Sequence, residues 1–126
     1  MKKIVSILVI ILAFTFNTNA QDKMNKKATK TVALEQTKGE FTQKQITLSE
    51  GTYIFEIANN NVGKDVGFVL HPKGKSGQEN HIKEAYVTSL VRNNTKGTSK
   101  QVTLATGEYV YFCPLNKTPQ YTLVVE

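Results

Sequence analysis

Two segments of this sequence alternate large apolar side chains with other residues at a period of two, and this pattern constrains the fold more than any other feature. In residues 52–58 the side chains on one face are those of Tyr53, Phe55 and Ile57. Residues 108–113 repeat the pattern with aromatic side chains. Successive side chains of a strand point to opposite faces, so such segments form strands with one face buried. The sequence therefore predicts a protein built from β-sheet.

Further short segments rich in β-branched and apolar residues complete the set of predicted strands. They are residues 31–36, 41–48, 65–71, 101–104 and 120–126. The spacing of these six or seven strands and their turns is typical of an antiparallel β-sandwich.

The middle of the chain changes period. Residues 81–91 place Ile82, Tyr86 and Leu90 four positions apart, which favours a short amphipathic helix over a strand. The predicted fold class is therefore all-β, with one short helical insert.

The first 20 residues have the pattern of a secretory signal peptide. A basic start, Lys2 and Lys3, precedes an apolar stretch that is shorter than the roughly 20 residues of a membrane-spanning helix, and small residues precede a cut after Ala20. We therefore divide the chain into a signal peptide (1–20), a flexible polar segment (21–30) and a domain (31–126). The expected location is secreted or periplasmic, with no membrane span after cleavage of the signal.

Composition excludes several classes of protein. The length of 126 residues leaves room for one domain of usual size, and a single Cys cannot form a disulfide scaffold. The formal net charge of +6 comes from Lys and Arg residues that are spread along the chain rather than clustered among aromatic residues, so we expect no nucleic-acid partner.

Three segments carry a resemblance to a known family: Gly-Thr-Tyr-Ile-Phe-Glu-Ile-Ala-Asn-Asn at 51–60, Phe-Val-Leu at 68–70 and Gly-Glu-Tyr-Val-Tyr-Phe-Cys-Pro at 107–114. From Phe41 to the C-terminus the sequence resembles the cupredoxin family of small blue type 1 copper proteins. The resemblance implies a Greek-key β-sandwich, copper as cofactor, electron transfer or copper handling as function, and a redox or copper-donor protein as partner.

The resemblance also implies positions for the copper ligands. Cys113 stands where the family has its thiolate ligand, because it ends the aromatic strand and precedes Pro114. The family spacing Cys-x2-His-x4-Met falls on Asn116 and Tyr121, and the first histidine of the family falls on Val66. The implied ligand set is therefore degenerate, with one of four family ligands retained.

The two histidines of the chain, His71 and His81, are the remaining candidates to ligate a metal with Cys113. In an unbroken strand His71 would lie about 16 Å from Val66 and face the opposite side. His81 lies at the start of the predicted helix. The alternative interpretation is that both are surface histidines beside turns. For Cys113 the alternatives are a small buried apolar residue, a redox-active thiol and an intermolecular disulfide.

Enzyme activity is not expected, because the sequence has no nucleophile motif, phosphate-binding loop or paired-carboxylate motif in a supporting context. Three hypotheses stay open. The chain is an exported cupredoxin-like protein that binds copper through Cys113, or a metal-free cupredoxin-like binding and interaction module that has lost the type 1 copper site, or a thiol-dependent redox protein.

Overall fold

The computed structural model describes residues 29–126, which form two four-stranded β-sheets packed face to face around one apolar core. The eight strands are β1 (Lys30–Thr37), β2 (Glu40–Phe41), β3 (Gln45–Leu48), β4 (Gly51–Asn59), β5 (Val69–Pro72), β6 (Lys96–Leu104), β7 (Gly107–Phe112) and β8 (Tyr121–Val125). The predicted signal peptide and nearly all of the predicted flexible segment lie outside the described residues.

The strand order confirms the predicted sandwich and shows that each sheet contains one parallel pair of strands. One sheet has the order β2-β1-β4-β6 and the other β3-β8-β7-β5. Strand β1 pairs in parallel with β4, and β8 pairs in parallel with β3, whereas the other pairs are antiparallel. Both sheets are therefore mixed, because the chain crosses to the second sheet at β3 before β4 returns beside β1.

The core forms from the inward faces of both sheets. Tyr53, Phe55 and Ile57 are buried on one face of β4, as the alternation predicts. The facing sheet contributes Leu70 and Tyr111, which are also fully buried. Burial of each such side chain contributes about 1.5–3 kcal/mol to the free energy of unfolding, so this layer of aromatic and aliphatic side chains stabilises the sandwich without cross-links.

The segment between β5 and β6 differs from its prediction. Residues 81–91 form no amphipathic helix; the insert contains only two single 3-10 turns, Gln78–Asn80 and Lys83–Ala85. The backbone N–H of Ile82 donates to the carbonyl of Leu70 at 2.8 Å, and Tyr86 is extended at φ −60° and ψ 140°. The hydrogen bond to strand β5 and the extended backbone after each 3-10 turn prevent residues 81–91 from forming a continuous helix.

Three predicted strand boundaries also change. Strand β6 begins at Lys96 rather than at residue 101, because its first residues pair with the end of β4. The predicted strand 41–48 is split into β2 and β3, which belong to different sheets. The predicted strand 65–71 is regular only from Val69, and Val66 forms an isolated bridge with Val91.

A register irregularity between β4 and β6 depends on one hydroxyl group. The backbone N–H of Phe55 donates to Ser99 Oγ at 3.0 Å, and that hydroxyl donates to the carbonyl of Lys100 at 2.7 Å. The buried Ser99 thus replaces a backbone partner where the ladder shifts between Ile54 and Glu56.

We expect Ser99→Ala to lower the free energy of unfolding by about 1–2 kcal/mol, because it leaves the N–H of Phe55 buried without an acceptor. Urea unfolding at constant m-value measures this difference. Thr103→Ala is the control in the same strand, since Thr103 Oγ1 bonds only to the exposed Thr52 hydroxyl at 3.1 Å. A loss for Ser99→Ala no greater than the control's would contradict this role.

Candidate functional site at Cys113

Cys113 lies directly after β7, and its sulfur is enclosed by backbone. Its side chain is 0% exposed, and Sγ accepts hydrogen bonds from the N–H groups of Gly67 and Asn116, each at 3.3 Å. Thr118 closes the loop that follows, because its Oγ1 accepts from the N–H of Cys113 at 2.9 Å and its own N–H donates to the carbonyl of Cys113 at 3.2 Å. The thiol is therefore fixed in position and reached by solvent or a reagent only when this loop opens.

Asn116, at the predicted position of a copper-ligating histidine, uses its side-chain amide to bind the end of β1. Its Nδ2 donates to Gln36 Oε1 at 3.1 Å and to the carbonyl of Thr37 at 2.8 Å, and its Oδ1 accepts from the N–H of Gly39 at 2.8 Å. Gln36 Nε2 in turn donates to the carbonyl of Gly67 at 2.8 Å. This buried network joins β1 to both backbone segments that hold the sulfur.

Val66, which the resemblance assigns to the position of the family's first histidine, has no side-chain donor atom for a metal. Its side chain is fully buried, and its backbone exchanges two hydrogen bonds of 2.9 Å with Val91. It precedes Gly67, whose N–H bonds to the sulfur. Residue 66 therefore contributes only hydrocarbon to the core.

Tyr121, which the resemblance assigns to the position of the family's axial methionine, belongs to an aromatic cluster. Its hydroxyl accepts a hydrogen bond from the N–H of Phe41 at 3.3 Å, and its ring lies 5.4 Å from that of Tyr111. Burial, and to a smaller extent the neighbouring Tyr121, raise the pKa of Tyr111 to about 12, so Tyr111 remains a neutral donor to the carbonyl of Gln43. This cluster supports packing between strands.

The structure brings His71 and His81 together and separates them from the sulfur. Their ring centres are 5.9 Å apart. In the sheet His71 pairs with Val110, which lies three residues before Cys113. Because Leu70 points into the core, the side chain of the next residue, His71, points to the opposite face of the sheet. The histidine pair thus lies on the face of the sheet beneath the insert, whereas the sulfur lies in the core. No group of three or more His, Cys, Asp or Glu residues within 29–126 could hold a metal ion, and the metal-ligand roles of Cys113, His71 and His81 remain predictions.

An apolar pocket of about 280 Å³ lies beside the Cys113 loop. Leu90 and Leu115 are the two large apolar side chains of the described part that are exposed, by 55% and 41% respectively. The pocket is lined by Gly67, Phe68, Val69, Tyr86, Val87, Leu90, Pro114 and Leu115. The pocket could not be predicted from the sequence, because its residues come from three segments that only the fold brings together.

Comparison with known proteins gives structural neighbours only. No protein-family model and no curated protein matches the sequence. Auracyanin B superposes with a TM-score of 0.63 at 20% identity, over 82% of this chain and 93% of that chain. Auracyanin A from Chloroflexus aurantiacus, a "blue" copper protein, superposes with a TM-score of 0.62 at 19% identity, over 79% of this chain and 100% of that chain. The chain has the cupredoxin fold. A third neighbour, the auracyanin of Roseiflexus castenholzii, has a TM-score of 0.59 and 14% identity over 80% of this chain and 99% of that chain.

The residues of this cupredoxin-fold chain do not fit a type 1 copper centre. Such a centre needs two imidazoles and a thiolate in a trigonal set with a weak axial ligand. The positions that the resemblance assigns to the other three ligands hold a valine, an amide that makes three hydrogen bonds and a phenol that accepts a backbone bond. The donor set around Cys113 therefore lacks both imidazoles.

Proposed function

We propose that this chain is an exported cupredoxin-fold binding module that recognises a partner protein through the apolar pocket beside Cys113, without a type 1 copper centre and without catalysis. In this proposal residues 1–20 are the signal peptide, residues 21–30 a flexible segment and residues 31–126 the binding domain of a secreted or periplasmic protein. The observation that carries the proposal is that Leu90 and Leu115 are exposed in the lining of the apolar pocket. The positions that the resemblance assigns to copper-ligating histidines are a valine and an asparagine.

The apolar lining of the pocket favours a side chain of a partner over a cofactor. The volume of about 280 Å³ is close to the lower end of the roughly 300–1,000 Å³ that sites for small molecules enclose, so the lining decides between the two. Its lining is almost entirely apolar, so it offers few polar groups to orient a small molecule. A branched or aromatic side chain inserted between the two leucines gains the burial that central interface residues provide.

The pocket can be tested without knowing the partner. We expect 3-methylbutan-1-ol, which carries the branched end of a leucine side chain, to cause saturable NMR shifts at the amides of Gly67 and Val87. Leu115→Ser should weaken this binding several-fold, because it removes apolar area from the rim. Shifts that do not saturate would contradict the proposal.

A matched control separates the pocket from general apolar surface. Ile54 lies half-buried on the outward face of β4, away from the residues of the pocket. Ile54→Thr keeps a β-branched side chain and should leave the titration unchanged. Equal weakening by Ile54→Thr and Leu115→Ser would show that the shifts do not report the pocket.

A second candidate function is copper binding through Cys113 for electron transfer or copper handling, with a redox or copper-donor protein as partner. The two backbone N–H groups that bond to Sγ favour it, because they fix the sulfur of the residue that the resemblance assigns as the thiolate ligand. Copper retained after dialysis against Cu(II) at one ion per chain, and lost in Cys113→Ser, would support this candidate over the metal-independent module.

A further inference from the structure

The two histidines meet on the outer face of the second sheet. His71 lies in β5, and His81 lies between the two 3-10 turns of the insert. Their rings are nearly parallel, with an interplanar angle of 16° and centres 5.9 Å apart. Both rings contact Phe112 edge-on, at 6.0 and 6.4 Å between centres. The insert is held over β5 by the bond from Ile82 N–H to the carbonyl of Leu70, so the pair is part of the packed structure.

One nitrogen of this pair is buried without a partner. His71 is only 2% exposed, and its Nε2 has no hydrogen-bond partner among the described residues. Its Nδ1 lies 2.7 Å from the carbonyl oxygen of Pro72, and because a carbonyl only accepts, Nδ1 carries the proton. Nε2 therefore has a free lone pair, and a buried acceptor without a partner is unfavourable. A bond from Nδ1–H to a backbone carbonyl is also the arrangement that orients metal-ligating histidines.

His81 has a matching environment. Its Nδ1 lies 2.7 Å from the hydroxyl of Tyr86. A phenol oxygen accepts as well as donates, so Tyr86 can hold the proton on Nδ1 of His81 and leave Nε2 free for a metal. His81 is partly exposed, which gives an ion a path to the buried nitrogen of His71.

The separation of the rings fits one shared ion. A metal lies about 2.0 Å from a ligating imidazole nitrogen, and that nitrogen is about 1.2 Å from its ring centre, so two ligands of one ion have centres at most about 6.4 Å apart. The observed 5.9 Å is within this limit and requires a wide angle at the metal.

We propose that His71 and His81 form a two-histidine Cu(I) site that is separate from Cys113. The candidate site offers two ligating side chains, since residues 29–126 contain no group of three His, Cys, Asp or Glu. Structural Zn²⁺ sites use four protein ligands and catalytic ones three, whereas Cu(I) is a closed-shell ion that accepts two opposed nitrogen ligands. The site does not depend on the proposed partner-binding pocket.

The test is an anaerobic titration of the mature chain with Cu(I) in competition with bicinchoninate. Wild type should retain one Cu(I) per chain, and His81→Ala should lower the affinity at least tenfold. Cys113→Ser should leave the affinity unchanged, because the sulfur lies on the other face of the sheet. Loss of binding in Cys113→Ser, full binding in His81→Ala, or no retention by wild type would each overturn the proposal.

A second measurement tests ligation by the buried His71. It includes a comparison of melting temperatures, because His71→Leu also changes the packing around residue 71. Cu(I) should raise the melting temperature of wild type and of Cys113→Ser, since an ion that binds only the folded state stabilises it. His71→Leu should melt cooperatively without any shift on addition of Cu(I). In wild type the ¹⁵N resonances of Nε2 of His71 and His81 should move more than those of the two Nδ1 atoms. An unmoved Nε2 resonance of His71, or a copper-dependent melting shift in His71→Leu, would contradict ligation by His71.

Discussion

Asn116→Ala is expected to lower the free energy of unfolding by about 3 kcal/mol, because the side chain satisfies three buried or part-buried backbone and amide groups at once. Asn116 is 6% exposed, and its amide bonds to Gln36, Thr37 and Gly39 at the end of β1 and in the turn that follows. Alanine removes these bonds and leaves Gln36 Oε1 buried without this donor. The loop that carries Cys113 then loses its attachment to the first sheet.

Urea unfolding followed by circular dichroism measures this loss. Asn60→Ala is the matched control, since the Asn60 amide donates to Glu35 Oε2 at 2.8 Å on the exposed surface, and its loss should cost no more than about 0.5 kcal/mol. If the two variants lose the same stability, the Asn116 network does not hold the loop.

The second large effect is a gain of copper. The double variant Val66→His with Asn116→His places two imidazoles at the positions that the resemblance assigns to the copper-ligating histidines. The N–H groups of Gly67 and Asn116 already bond to Sγ, so the side chains at 66 and 116 start close to it. We expect this variant to bind one Cu(II) per chain and to show an intense visible thiolate-to-copper band. The metal should also restore part of the stability lost with the Asn116 amide.

Two variants control for other copper sites. Cys113→Ser in the double-variant background should abolish the band, because the band requires the thiolate. Val66→His alone should give at most a weak band, since one imidazole does not complete the trigonal set. A double variant that is folded but colourless with Cu(II) would mean that residues 66 and 116 do not face the sulfur together.

The sandwich could be predicted because the main strands have an alternation of apolar side chains within their own sequence. The alternation of Tyr53, Phe55 and Ile57 predicts which face of β4 is buried, and the structure confirms this prediction. The parallel pairs β1–β4 and β3–β8 were not predictable in this way, since pairing direction depends on where the chain crosses between sheets. The same limit applies to β6, whose first residues are polar and become a strand through pairing with β4.

The region around the site was predictable only in part. The family resemblance assigned Cys113, Val66 and Asn116, and the structure places the backbone at these positions around the sulfur. The histidine pair was beyond sequence reasoning, because the path of the insert decides whether His81 reaches His71. That path is set by long-range bonds such as Ile82 N–H to the carbonyl of Leu70, whereas the sequence pattern indicated a helix.

The visible spectrum of the wild-type chain after addition of one equivalent of Cu(II), recorded beside the spectrum of the Val66→His and Asn116→His double variant, tests the central claim most directly. The claim is that Cys113 occupies a copper-protein position whose neighbouring groups cannot complete the centre. It predicts no intense thiolate-to-copper band for wild type and a strong band for the double variant. An intense band in wild type that disappears in Cys113→Ser would contradict it.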